Sequence, residues 1–144
     1  MSLPTPRPGL VVRYAFLWSH EGEAGALEAA KARPCAIVVA VRRAKNGQIL
    51  TLVAPITHAP PSERGDSIEI PARVARRLGL DAGRHWLRLD ELNRFDWPGY
   101  DLRPIPGTVD RFDYGMLPKP LFEALRAAIL DRHRATRGRT QNRT

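Results

Sequence analysis

The sequence carries a single cysteine, Cys35, so no disulfide can form within the chain. Its setting in the apolar run Pro34 to Val41 marks it as a small buried side chain. No apolar run approaches the ~20 residues needed to span a bilayer, and no membrane partner is expected. The opening Met1-Ser2-Leu3-Pro4-Thr5-Pro6 has no apolar core of the signal-peptide kind, which sets the expectation of a cytoplasmic protein. The four histidines, His20, His58, His85 and His133, are scattered without zinc-site spacing, so no structural metal and no cofactor are expected. Acidic residues are the minority charge, 15 against 23 Lys and Arg, and the resulting +8 points toward a polyanionic partner. Five arginines (Arg132, Arg134, Arg137, Arg139, Arg143) concentrate much of that excess near the C-terminus. Residues 132–144 therefore read as a basic, disordered tail, either a solvated end or a nucleic-acid arm.

What is present fits one folded domain. A chain of 144 residues has room for one hydrophobic core, and 43% apolar with 26% charged residues lies in the globular range. Residues 1–8 read as an extended lead-in and 9–131 as the domain. Leu10 to Trp18 alternates, with Val12, Tyr14, Phe16 and Trp18 on one face, as a strand does. Glu21 to Lys31, rich in alanine and glutamate, reads as a short helix or ordered loop. Pro34 to Val41 and Ile49 to Ile56 are apolar runs joined through Lys45-Asn46-Gly47, the strongest hairpin signal in the chain. Pro71 and Gly79 bracket Ala72 to Leu78 as a two-turn helix, and Ser67 to Ile70 and His85 to Glu91 read as strands. Phe95 to Gly99 and Pro104 to Gly107 read as irregular connections. From Pro118 to about His133, Leu121, Leu125 and Ile129 recur at fourfold spacing, predicting an amphipathic helix. The pattern predicts a small, mainly β barrel capped by a C-terminal helix.

In order along the chain stand Gly9-Leu10-Val11-Val12, Ser19-His20-Glu21, Arg33-Pro34-Cys35, Val53-Ala54-Pro55-Ile56-Thr57, the stretch Trp86 to Asp96 with its Arg88-x-Asp90, and Gly115-Met116-Leu117 before the last helix. Together these resemble the PemK/MazF/Kid toxins of type II toxin-antitoxin pairs over roughly residues 9 to 131. The resemblance implies a small antiparallel SH3-like barrel of the PemK/MazF/CcdB kind and a growth-inhibiting, metal-independent endoribonuclease acting on single-stranded mRNA. It also implies a homodimer and a cognate antitoxin as partner. Two segments depart from the family pattern: Gly22 to Ala32 enlarges the loop that shapes substrate choice, and Pro60 to Gly83 is longer than its counterpart.

The reaction so implied is attack of the ribose 2′-hydroxyl on the adjacent phosphate, leaving a 2′,3′-cyclic phosphate and a 5′-hydroxyl. It needs a base, an acid and stabilisation of the developing phosphorane charge. Residues two apart on a strand share one face about 6.5 Å apart along the chain, which suits Arg88 and Asp90 to two sides of one phosphate. By the family pattern Asp90 is the general base. By the same pattern Arg88 is the acid or the charge stabiliser, and because arginine is a poor proton donor the electrostatic role is favoured. Histidine titrates near neutral pH, making His20 a candidate either to donate to the leaving oxygen or to tune Asp90. Thr57 and Arg33 are candidate phosphate contacts, and Trp18, Trp97 and Tyr100 candidate base-stacking platforms.

Each has a plainer alternative. Arg88 and Asp90 would serve as a solvent-facing charge pair, His20 as a surface group, Thr57 as a strand terminator, Arg33 as a loop brace, and Trp18 and Trp97 as core anchors. Beside the nuclease stand a degenerate member that keeps the fold without the catalysis, and two rival functions. One is a non-catalytic toxin of the gyrase-poisoning kind on the same fold. The other is DNA binding of the AbrB kind, which Ile68-Glu69-Ile70-Pro71-Ala72-Arg73-Val74 to Leu78-Gly79-Leu80 resembles.

Overall fold

The computed structural model of the chain describes residues 3–20, 31–62, 65–135 and 138–143. The segment Glu21 to Lys31 expected as a helix or ordered loop lies, but for Lys31, outside the described residues. Strand β1 (Leu10–Ala15) pairs antiparallel with β2 (Ala32–Arg42), and β2 with β3 (Ile49–Thr57). The β2–β3 hairpin turns where expected: Gly47 adopts φ 72° and donates its N–H to the Arg43 carbonyl, while Asn46 Oδ1 accepts from Gln48 N. Then follow β4 (Ser67–Glu69), helix α1 (Ala72–Leu78), β5 (Trp86–Arg88), β6 (Glu91–Asp96), β7 (Asp113–Met116), helix α2 (Lys119–Arg134) and β8 (Arg139–Asn142).

The eight described strands form one sheet with the path β4-β5-β3-β2-β1-β7, curled into a half-barrel. β3 divides one edge between two partners: Leu50 to Val53 face β6, while Ile56 and Thr57 face β5. Register shifts between Ile37 and Val39 and between Val11 and Val12 mark the irregularities that help such a sheet bend.

Strict alternation sends neighbouring residues to different cores. Val11, Ala36, Val38, Ala54 and Ile56 join one cluster, into which α1 inserts Val74, Ala75 and Leu78 and α2 inserts Leu125 and Ile129. Leu10, Val12, Tyr14, Cys35, Ile37 and Val53 join the other, where the Tyr14 and Phe95 rings stack at 4.7 Å. Cys35 is fully buried, as its run implies. Both helices thus cover the same apolar face.

Helix α1 occupies the bracketed residues and ends at Gly79 in the left-handed conformation, φ 73°. Helix α2 is preceded by Pro118 and carries Pro120 in its first turn, where absent N–H groups cost nothing, and it buries Leu125 and Ile129 of the expected stripe. Leu121 and Phe122 lie half-buried against the same core.

Three expectations need correction. The strand expected over His85 to Glu91 is broken at Leu89 and Asp90, because β3 hands its pairing from β5 to β6 at that point. Phe95 and Asp96, expected in an irregular connection, are the end of β6, held by Thr51 and Leu50. The tail is not disordered over its described residues, and α2 is not the last element. Residues 132–134 continue α2, and β8 pairs parallel with β6. The Arg143 guanidinium, only 5% exposed, donates to Ala15 O and Asn93 Oδ1, both at 3.0 Å, and pairs with Asp101 at 3.0 Å. An arginine chosen for charge is here spent on internal acceptors, which is why composition misread the segment.

Candidate functional site

The break between β5 and β6 is where the expected catalytic pair sits. The Arg88 Nε donates to Asp90 Oδ1 at 2.9 Å and Nη2 to Oδ2 at 2.7 Å, a two-pronged fork with both side chains about a quarter exposed or less. The hydrogen bonds that Arg88 donates to Asp90 hold its guanidinium above its ordinary range despite partial burial, so it stays a cation. The sequence argument placed the two on one face, and the structure brings them into direct contact. Each carboxylate oxygen retains a second lone-pair site beyond the fork.

Trp18 ties this pair to Arg33. The Arg33 and Arg88 guanidinium carbons lie 5.0 and 5.3 Å from its ring centroid, within cation–π range. Trp18 also meets Phe16 edge-on at 5.1 Å, so it anchors to the core and presents its ring to two cations.

Buried polar clamps fix this stretch to β6. Asn93, with no exposed surface, accepts from Leu17 N at 2.9 Å and donates to Leu17 O at 2.8 Å. Glu91 accepts from Ser19 N at 2.9 Å and Ser19 Oγ at 2.7 Å. His20 follows this anchor and is exposed. Sequence reading missed Glu91 and Asn93 as positioning residues; polar side chains at inward strand positions were the available signal.

Beside Arg33 opens a groove of about 410 Å³ whose walls include Arg13, Lys31, Arg33 and Thr57. Arg13 is braced by Tyr114 OH at 3.1 Å and Ala32 O at 3.4 Å. Thr57 is buried, and its hydroxyl oxygen accepts the Ala59 N–H at 3.1 Å, which closes the strand end while leaving the hydroxyl proton to donate. Trp97 is not drawn into this group: it lies half-buried beside Phe95, 6.1 Å between rings, against the second core cluster. Tyr100 is 97% exposed.

The same groove contains a cluster the sequence did not reveal. His58 Nε2 and His85 Nε2 lie 3.0 and 3.1 Å from one oxygen of Asp81. The hydrogen bond with His85, reinforced by His58, holds the Asp81 carboxyl below its usual value. Nearby, Arg84 grips Glu69 with two 2.7 Å bonds, which lower the Glu69 carboxyl in turn, and stacks over Trp86 at 4.9 Å.

Comparison with protein-family models, with curated proteins and with solved structures finds no match for this chain.

Proposed function

We propose that this chain is an RNA-binding and RNA-cleaving β protein. More particularly, we read it as a cytoplasmic endoribonuclease toxin of the PemK/MazF kind, on that family's SH3-like barrel, dimeric and neutralised by an antitoxin. One observation carries the reading: Arg88 and Asp90 form a charged fork on Trp18, whose other cationic neighbour, Arg33, lines a groove with Arg13, Lys31 and Thr57. Cations, a hydroxyl donor and a ring beside them are the groups single-stranded RNA requires for its phosphates and unpaired bases.

In the reaction, a free lone pair on Asp90 accepts the 2′-hydroxyl proton as the 2′ oxygen bonds to phosphorus. The P–O5′ bond breaks, and the 5′ oxygen takes a proton from His20 or water. Arg88, fixed as a cation, balances the phosphorane charge. The test is cleavage of a mixed RNA panel by the full chain, with end-group analysis. Cyclic 2′,3′-phosphate and 5′-hydroxyl ends are expected, with no cleavage where the nucleophilic 2′-hydroxyl is replaced by hydrogen. Products with 3′-hydroxyl and 5′-phosphate ends refute the mechanism.

A second reading has its own support. The fork engages both oxygens of Asp90, an arrangement suited to holding Arg88 rigid for phosphate contact without proton transfer. Saturable RNA binding without cleavage would select that binding-protein reading.

A further inference from the structure

We propose that His58, Asp81 and His85 form a binding site for one divalent transition-metal ion of the zinc kind. The inference goes beyond the nuclease reading and does not rest on it.

The strand register creates the site. Thr57 of β3 faces Trp86 of β5, so the residues just outside that pair, His58 and His85, are brought opposite each other, and their rings lie 4.4 Å apart. The turn after α1 brings Asp81 to both. Gly83 sits in that turn at φ 105°, where side-chain-bearing residues are strained, and it passes closely by the His58 imidazole.

Tautomer logic then defines the chemistry. His58 Nδ1 lies 2.9 Å from the Arg84 carbonyl oxygen, which only accepts, so Nδ1 carries the hydrogen. In a neutral ring Nε2 then holds a lone pair, and that lone pair faces a carboxylate oxygen 3.0 Å away. Two facing electron pairs need a cation between them. A proton would serve His58 alone. A metal ion is held by His58, Asp81 and His85 together. The three ligand atoms all lie within 4.8 Å of one another. Zinc bonds of about 2.0–2.1 Å put tetrahedral ligand atoms about 3.3 Å apart, so the 3.0 and 3.1 Å contacts need to open only slightly.

The donor set selects the ion. Two imidazoles and a carboxylate suit zinc and its first-row neighbours, whereas calcium and magnesium prefer all-oxygen shells. The Nδ1–H to carbonyl contact is the outer hydrogen bond that metal-bound histidines characteristically make. Arg84, which supplies the carbonyl, is itself secured by Glu69 and Trp86. All three ligands line the basic groove, so a remaining coordination position is left to water or to an anion there.

The experiment is calorimetric titration of the untagged full chain with Zn²⁺ alone, and with Co²⁺ followed by visible absorbance. One ion per chain is expected at micromolar concentration, with cobalt bands of a nitrogen–oxygen site. His58 and Asp81 are exposed, so His58→Ala and Asp81→Asn keep the fold, as melting in chelator would verify. Each should weaken binding by at least about 100-fold, the upper end of what losing merely an outer partner costs. His20→Ala and His133→Ala should leave it unchanged. Absence of stoichiometric binding by the wild type overturns the proposal, as does binding that survives both ligand substitutions or disappears with His20 or His133. Neither result bears on RNA cleavage, which is measured separately.

Discussion

Replacing Arg88 by Ala and Asp90 by Asn separates a structural ion pair from a catalytic one, because the two roles differ in magnitude. The paired side chains are 24% and 21% exposed, so a charge deprived of its partner still reaches water. Breaking the fork should therefore cost about 1–3 kcal/mol of stability, between the values for exposed pairs and for charged hydrogen bonds out of full contact with water. A domain stable by about 5–15 kcal/mol remains folded after that loss, so unfolding cannot explain a large change in rate. If Asp90 receives the 2′-hydroxyl proton and Arg88 balances the phosphorane, each substitution removes a transition-state interaction worth about 3–4 kcal/mol, or roughly two to three orders of magnitude in rate. Asp90→Asn keeps the size of the side chain and removes the base, so its loss should fall on kcat. Arg88→Ala also removes a phosphate contact and should raise KM as well. A quenched fluorescent RNA substrate gives the rates, and urea denaturation gives the stabilities. Cleavage should persist in excess EDTA, because these side chains supply the chemistry. Full activity in both folded variants would refute the assignment.

Three further outcomes follow from the fold. Arg143→Ala removes a nearly buried guanidinium from Ala15 O, Asn93 and Asp101, and should cost about 2–4 kcal/mol in urea denaturation. A change within about 0.5 kcal/mol, as for a free surface residue, would mean that β8 is not docked. Cys35 should resist thiol reagents in the folded protein and react on unfolding; rapid labelling of the native chain would contradict its burial. Burial also raises the Cys35 thiol and the Tyr14 phenol above their ordinary values of 9.0 and 10.0. The native state then holds protons that the unfolded chain releases, so stability is intact below about pH 9 and falls as pH rises beyond it. Cys35→Ala should flatten the first part of that decline in melting temperature, and an unchanged slope would oppose the linkage.

Local chemistry made much of the architecture legible. The Asn46-Gly47 turn, the Pro71 and Gly79 brackets of α1 and the fourfold stripe of α2 each act within a few residues, so spacing alone reports them. The two-residue period of Leu10 to Trp18 likewise placed Val12, Tyr14 and Phe16 on one face, which one core cluster reproduces, whereas the continuous apolar runs of β2 and β3 did not say which residue faces which core. At the site, spacing set Arg88 and Asp90 on one face of a continuous strand, about 6.5 Å apart, whereas they meet in a direct fork across a strand break.

What lies beyond is set by pairings distant in sequence. β8 has no apolar period to announce it, since its partner is a sheet edge and its Arg143 is satisfied by acceptors 50 and 128 residues away. Trp18 is placed by Asn93 and Glu91, 72 to 76 residues downstream of the backbone they clamp. The four histidines are scattered in sequence, yet the β3–β5 register sets His58 against His85, and the turn after α1 adds Asp81. Periodicity determines which side of a strand a residue occupies. Only the tertiary pairing of strands, whose register depends on the whole sheet, determines which residues it meets there.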